Sequence, residues 1–348
     1  MGASTIKDVA RKAAVSVGTV SKYLNGLPCS PGRSARIKEA IELLNYKRNP
    51  FARSTRTAKS YCIGLVVEKA SRDDSPLWIE GWLSSMLYAL SAMGYKGNIY
   101  LLNGHDPDFS PEIFHNNVDG LITFGQFSDL FWEKMQQGCT LPIVTYLEKL
   151  PYSNAFTFPV SMEKALRALA EDFYSSGHRQ IAVIGQPEGT ALQKAQIFMD
   201  AFHKLNPEEN KVMHLISKRG ISQMDQGYSF TEQILLEHPE ITGIFYTTDN
   251  LACNGLCALM RYRKRVPDEI SVASYDHTVW AQNFHPLLTS VGIGYDKMAQ
   301  SLTEYLYAIL SGNRKKAEKL RNSSIELLYF PGKSIGKVEK ESKGSTTI

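Results

Sequence analysis

The stretch from Val15 to Gly26, VSVGTVSKYLNG, sets one cation among small polar groups at helical spacing. Lys22 can donate to guanine O6 and N7, Val17 can touch a thymine methyl, and Gly18 lets the backbone approach a base edge. Thr5, Thr19, Ser21 and Asn25 suit phosphate oxygens, contacts that fix register without reading sequence. Ser16 stands where a helix N-cap belongs. Thr5, Ser16, Val17, Gly18, Thr19, Ser21, Lys22 and Asn25 therefore form a candidate surface for double-stranded DNA. Within a helix Gly18 costs about 1 kcal/mol relative to Ala, so a partner that needs bare backbone is a better reason for it than helix stability.

Chemistry of other kinds finds little support. No G-x-G-x-x-G follows the first apolar run, and neither a P-loop nor G-x-S-x-G occurs. GQPEG (185–189) is a strand-to-helix loop and only a weak phosphate-site candidate. The eight histidines form no metal-spaced cluster, and His178 follows a glycine helix stop, where it serves the turn. No catalytic residue, cofactor or metal is expected. The five cysteines, Cys29, Cys62, Cys139, Cys253 and Cys257, are odd in number and read as buried free thiols.

Three helices must position the reading surface. STIKDVARKA opens with Ser4 or Thr5 as cap and runs Ile6, Val9, Ala10, Ala13 along one face. AAVS is a tight turn into the second helix, which Asn25-Gly26 closes. RSARIKEAIELLNY is a third amphipathic helix. Two short helices across a tight turn, braced by a third, make a helix-turn-helix, whose second helix enters the major groove N-terminus first. The charge agrees. Residues 1–60 carry twelve Lys/Arg and three acids, a net of +9, whereas the other 288 residues carry a net of −5.

TIKDVARKAAVSVGTVSKYLNG, followed by NYKRNPFARSTRTAKSYCIGLVV, resembles the lactose/galactose repressor (LacI/GalR) family of bacterial transcription regulators. The resemblance implies a homodimer on a near-palindromic operator, with a small-molecule effector, a sugar or sugar derivative, adjusting DNA affinity. It also implies that the hinge NPFARSTRT forms a short helix in the minor groove, with Arg53 and Arg56 on phosphates and the groove. Family members commonly carry Leu after A-R-S. Thr55 stands there instead, smaller and polar, and is expected to wedge less and bend DNA less.

From Tyr61 onward, short apolar runs alternate with helical patterns. Strands are expected at 61–67, 98–102, 120–124, 142–146, 180–185, 212–216, 243–247 and 270–275, and helices include 78–94, 161–177 and 249–263. That alternation predicts an α/β chain: an all-α head and a two-lobed body of doubly wound parallel sheets, of the periplasmic-binding-protein type that the resemblance implies. The expected division is a head at 1–48, a hinge at 49–60, a first lobe at 61–160 plus 289–320, a second lobe at 161–288 plus 321–335, and a polar tail at 336–348. Crossovers fall near Val160, Thr289 and Arg321. Ligands of such sheets bind at the C-terminal strand ends.

Matched to the family's cleft motifs, SYDHT keeps an effector-binding carboxylate at Asp276. TTDNLACNG keeps Asp249 but has Thr248 for the usual Asn, Lys194 replaces an Arg, and Leu147 replaces a common acid. A lysine is a mobile point charge where Arg is a rigid fork, so a changed ligand is expected. Trp78 falls at a common cleft aromatic. Trp280 suits either the cleft or the core. A cleft that binds no effector is the alternative, and a solute-binding protein is a second one, opposed by the basic head. The N-terminus lacks the apolar core of a signal peptide and no run approaches the ~20 residues that span a bilayer, so the expectation is a cytoplasmic protein without a membrane partner.

Overall fold

Thr5 opens the first helix with a reciprocal cap: its backbone N–H donates to Asp8 Oδ2 at 2.9 Å, and its Oγ1 accepts from the Asp8 N–H at 3.4 Å. In the computed structural model, which describes residues 4–24, 27–46, 59–68, 78–125, 127–146, 155–186, 189–216 and 222–338, helix α1 is Ile6–Lys12, α2 Val17–Leu24 and α3 Pro31–Leu43. Ala14 makes the turn between α1 and α2 at φ 52°, and the Val15 N–H reaches back to the Ala10 carbonyl at 3.0 Å. That is a Schellman closure. Val9, Ala10, Ala13, Val20, Ile37 and Ala40 fill the core among the three helices. The N-terminus is tied to the end of α3 by Ser4 Oγ donating to the Leu44 carbonyl at 2.8 Å, so of the two candidate caps Thr5 is the one used.

Residues 1–60 and 61–348 are separate compact units. The second is built on two sheets. Strands β1 (Cys62–Glu68), β2 (Lys96–Leu102), β3 (Gly120–Phe124), β4 (Ile143–Tyr146) and β5 (Ala155–Phe158) form a parallel sheet in the order β2-β1-β3-β4-β5. Helices α4 (Trp78–Ala92) and α5 (Asp129–Gly138) belong to this half. β6 (Val160–Ser161) leads to α6 (Glu163–Ser175), β7 (Gln180–Gly185), α7 (Gly189–Leu205), β8 (Lys211–Ile216), α8 (Gln223–Glu237), β9 (Gly243–Tyr246), α9 (Asp249–Arg261), β10 (Ser271–Asp276), α10 (Val279–Asn283) and β11 (Thr289–Gly292). The chain then returns through α11 (Tyr295–Leu310) and α12 (Arg314–Arg321), and ends in β12 (Ile325–Glu326) and β13 (Leu328–Phe330). The second sheet runs β13-β11-β10-β9-β7-β8, parallel except for β13. β6 and β12 pair side by side where the chain passes between the sheets.

The expected α/β class and its doubly wound sheets are what the structure shows. Strands such as β1, buried from Ile63 to Val67, read as continuous apolar runs because helices cover both faces. Three expectations are corrected. Thr289–Gly292 is a strand of the second sheet, paired with β10, so the chain leaves that sheet after Gly292 rather than at Thr289. The polar tail does not begin at residue 336: the Gly336 N–H donates to Ser271 Oγ at 2.9 Å and the Val338 N–H to the Ser176 carbonyl at 2.8 Å, which holds this stretch on the second lobe. All five cysteines are free, but only Cys139 is buried and Cys257 is exposed, because Cys257 lies on the outer face of α9. The hinge residues 49–58, with Arg53, Thr55 and Arg56, lie outside the described residues.

His178 does serve its turn. Its Nε2 donates to the Gly336 carbonyl at 3.1 Å, which leaves Nδ1 to accept from Thr242 Oγ1 at 2.8 Å. Burial pushes its pKa down to about 4, so the ring is neutral in the fold. The unfolded chain binds this proton near 6.5 and the folded chain near 4, so this residue's contribution is full above pH 6.5 and is lost as pH falls toward 4. His178→Gln keeps a donor for Gly336 and cannot titrate. Denaturant unfolding at pH 7 and pH 4.5 is expected to show the variant less stable at pH 7 by roughly 1 kcal/mol, and the difference reversing at pH 4.5, where the parent has lost about 2–3 kcal/mol to protonation. An equal deficit at both values would contradict this role.

Candidate functional site

On the head, α2 presents its expected surface. Val20 is fully buried, so Val17, at 41% exposure, and Lys22 point outward. The Ser16 hydroxyl accepts from the Thr19 N–H at 3.1 Å and lies 2.9 Å from Thr19 Oγ1, so it caps α2 and orients Thr19. Thr5 Oγ1 donates to Asp8 Oδ2 at 2.6 Å, which spends its hydrogen on the cap of α1. A Cβ added at Gly18 would meet only Ser16 Oγ, at an ordinary 3.7 Å. The head itself therefore does not demand a glycine there, and bare backbone is left facing outward at the start of α2. Ser21 is half-buried, and Asn25 lies outside the described residues.

In the body, the C-terminal ends of the two sheets bring a polar cluster together. Lys194, on α7, is 8% exposed. Its Nζ lies 3.8 Å from Asp276 Oδ1 and 3.6 Å from the centroid of the Tyr275 ring. Asp276 ends β10 at φ 108°, a conformation that a side-chain-bearing residue adopts only under strain. Its Oδ2 accepts from the Asp249 N–H at 3.4 Å, so the carboxylate lies at the N-terminus of α9, which favours negative charge. Asp249 is fully buried; its Oδ2 accepts from the Thr278 N–H at 2.9 Å and from Thr278 Oγ1 at 2.7 Å.

The first sheet contributes a wall of aromatic rings. Trp82 lies 4.9 Å from Phe124, which stacks on Tyr146 at 4.9 Å. Tyr295 packs beneath Gly81 and donates its hydroxyl to the Asp276 carbonyl at 3.2 Å. Glu68 ends β1 beside Gly125, whose φ of 124° and absent Cβ make room for the acid, and His105 Nε2 lies 3.9 Å from it.

These neighbours shape the charges. Burial raises Asp249, the nearby Asp276 charge raises it further, and the Ser274 hydroxyl and the Thr278 bonds oppose the rise. Burial also raises Asp276, while Lys194 and the Asp249 N–H hold it down. Burial lowers Lys194, against the pull of both carboxylates. Burial and the Asp276 charge raise the Tyr146 phenol. Such a site is equipped to hold a small polar ligand by hydrogen bonds and charge, with rings to cover apolar faces.

Of the expected cleft residues, the structure brings Lys194 and Asp276 into contact. Thr248 instead caps α9, accepting from the Leu251 N–H at 3.2 Å. Leu147 lies outside the described residues; Trp78 begins α4, and its side chain is outside them too. Trp280 is half-buried against Phe284, so it belongs to the second lobe's core. β7 ends at Gly185 and residues 187–188 of the GQPEG loop are outside the described set. Sequence reasoning missed Tyr146, Tyr275, Tyr295 and Trp82; the only signal was Tyr275 standing beside Asp276. Among the described residues no group of three His, Cys, Asp or Glu could hold a metal ion. No described helix is long and apolar enough to cross a membrane.

A helix-turn-helix head joined to a two-sheet body with a charged cluster at its strand ends defines a class of DNA-binding regulators. Residues 5–49 match the family described as bacterial regulatory proteins, lacI family, and residues 170–329 match the periplasmic binding protein-like domain. The chain therefore pairs a head that matches the lacI family with a body that matches the periplasmic binding protein-like domain. It is 27% identical over 322 residues to the probable HTH-type transcriptional repressor ExuR of Bacillus subtilis (strain 168), covering 91% of this chain and 94% of that one. It is 26% identical over 301 residues to catabolite control protein A of Priestia megaterium, covering 82% and 86%. Its fold is similar to the lac repressor dimer bound to operator and the anti-inducer ONPF, at a TM-score of 0.74, 20% identity and coverage of 96% and 100%. The CelR–cellobiose complex gives a TM-score of 0.63 at 21% identity, covering 95% and 99%.

Proposed function

We propose that this protein is a sequence-specific transcription regulator, a repressor, that binds a near-palindromic operator as a homodimer and responds to a small effector, a sugar or sugar derivative. The observation that carries the DNA part is the outward face of α2 on a basic segment, residues 1–60, of net charge +9. Val17, Gly18 and Lys22 read base edges; Ser16, Thr19, Ser21 and Asn25, with Thr5 through its cap, set the helix against phosphates; Arg53, Thr55 and Arg56 follow in the minor groove. The effector part rests on Lys194, Asp276 and Asp249, with Trp78, Leu147 and Thr248 as further candidates. A DNA-bound regulator works in the cytoplasm, and this reading assigns no catalytic step to any residue.

The test is binding-site selection followed by titration. Affinity for the selected palindrome is expected to fall steeply with salt, since several phosphates are neutralised by Lys/Arg. Lys22→Ala is expected to cost about 1–3 kcal/mol and to relax preference at one position per half-site. A uniform loss across sequences would make Lys22 a phosphate contact instead, and equal affinity for every duplex would end the reading.

The dimer follows from an apolar patch. Leu87 of α4 lies over Gly97 of the edge strand β2, and beyond it on the same side Ile99 and Leu101 are 47% and 60% exposed. An apolar edge left open invites pairing with another chain, and a twofold axis would cover it with its own copy. Leu101→Asp is expected to weaken self-association at least tenfold, read by sedimentation, with the melting curve of the subunit unchanged.

A further inference from the structure

The buried cluster at the ends of β9 and β10 balances its charge only while Asp249 keeps a proton, which burial and the neighbouring Asp276 charge favour; with both carboxyls ionised it carries a surplus. It holds two carboxylates, Asp249 and Asp276, and one ammonium, Lys194. Asp249 is 0% exposed and Lys194 8% exposed. Lys194 is already committed, with Asp276 Oδ1 at 3.8 Å and the Tyr275 ring beneath it. Asp249 Oδ1 is buried and makes no hydrogen bond of good geometry, with the Ser274 hydroxyl as its polar neighbour, although Oδ2 of the same group has two bonds. A surplus buried negative charge is costly, and charges a few ångströms apart interact strongly where water is scarce. An anionic ligand would add to the surplus and would have to compete with Asp276 for Lys194. A ligand bearing an ammonium would remove it.

We propose that the effector of this site carries an amine: an amino sugar, or a compact aminated polyol, whose ammonium balances the carboxylate that Lys194 leaves uncompensated. The inference rests on the sugar-effector reading above and narrows it to one charge class. Hydroxyls supply the remaining hydrogen bonds.

The test is calorimetric titration of the full-length protein with matched hexoses, hexosamines and hexuronates in the gluco, galacto and manno series. The best hexosamine is expected to bind at least tenfold more tightly than its parent hexose and at least 100-fold more tightly than the uronate. Asp249→Asn removes the surplus charge and is expected to bring the amine's advantage over the hexose to within about threefold. Lys194→Gln enlarges the surplus and is expected to raise that advantage at least a further tenfold; it keeps the question open to measurement if Asp249→Asn fails to fold. A uronate binding as tightly as the amine, or an advantage that neither variant moves, overturns the inference while leaving the sugar reading intact. If no sugar of any charge binds, while operator binding persists, the sugar reading falls and takes this one with it.

Discussion

Asp276→Asn is expected to abolish effector binding, with affinity reduced at least 100-fold, while operator binding by the head is retained. The side chain is isosteric and Asn tolerates positive φ, so the strained end of β10 keeps its geometry. What is lost is the partner of Lys194, 3.8 Å away and nearly buried. Stranding a buried cation costs about 3 kcal/mol or more. Relief of the repulsion between Asp276 and Asp249 offsets part of that, so a net loss of roughly 2 kcal/mol is expected. In a body of this size that lowers the melting temperature by about 4–8 °C. Adding Lys194→Met removes the stranded charge, and the double variant is expected to regain most of the stability and none of the affinity. A single variant as stable as the parent would show that the pair is solvated, and the account of the site would need revision.

Gly227→Ala is expected to be the most damaging single methyl in the second lobe. Gly227 lies on α8 where it crosses α9, and an added Cβ would run into the carbonyl oxygen of Leu251 and lie 2.9 Å from its carbonyl carbon. Both sides of this contact are backbone, so no side chain can turn away. The helices must separate, and the bonds that Thr231 makes to the Gly227 carbonyl and to Tyr246 Oη, each 2.7 Å, would be disturbed with them. Overpacking of this kind costs about 3 kcal/mol, enough to lower the body's melting temperature by roughly 10 °C. Gly32 is a control: nothing lies within 4 Å of its Cβ position, so Gly32→Ala should be neutral or stabilising.

The head was legible because its signals are local. Capping residues and apolar spacing fall within a few residues of what they determine. The long strands were legible because burial on both faces leaves no polar interruption, as in Ile181–Ile184. β5 is only AFTF, too short to register. β11 is TSVG, whose buried hydroxyl residues break up any apolar run, so a crossover is expected there instead of a strand. The Thr289 N–H donates to Ser334 Oγ and Thr289 Oγ1 accepts from the Gly332 N–H, partners more than forty residues away, so no local pattern reveals them. The site divides in the same way. Lys194 and Asp276 were marked by motif position, whereas Tyr146, Tyr275 and Tyr295 meet only because two sheets face each other at their strand ends.

The three passages of the chain between the two sheets set an order on its birth. The head has all the residues of its core once Tyr46 has been made. The first sheet, whose strands span residues 62–158, cannot be covered until α11 arrives with Met298, Leu302 and Leu306, which pack in one core with Ile63, Leu65 and Ile122. The second sheet waits longer, for β13 at 328–330 to close its edge beside β11. A ribosome therefore releases a finished DNA-reading unit long before either lobe can close. A transcript cut short anywhere between residues 60 and 290 would encode a complete head on an unfinished body, and such a fragment could meet operator DNA with no means of answering a ligand.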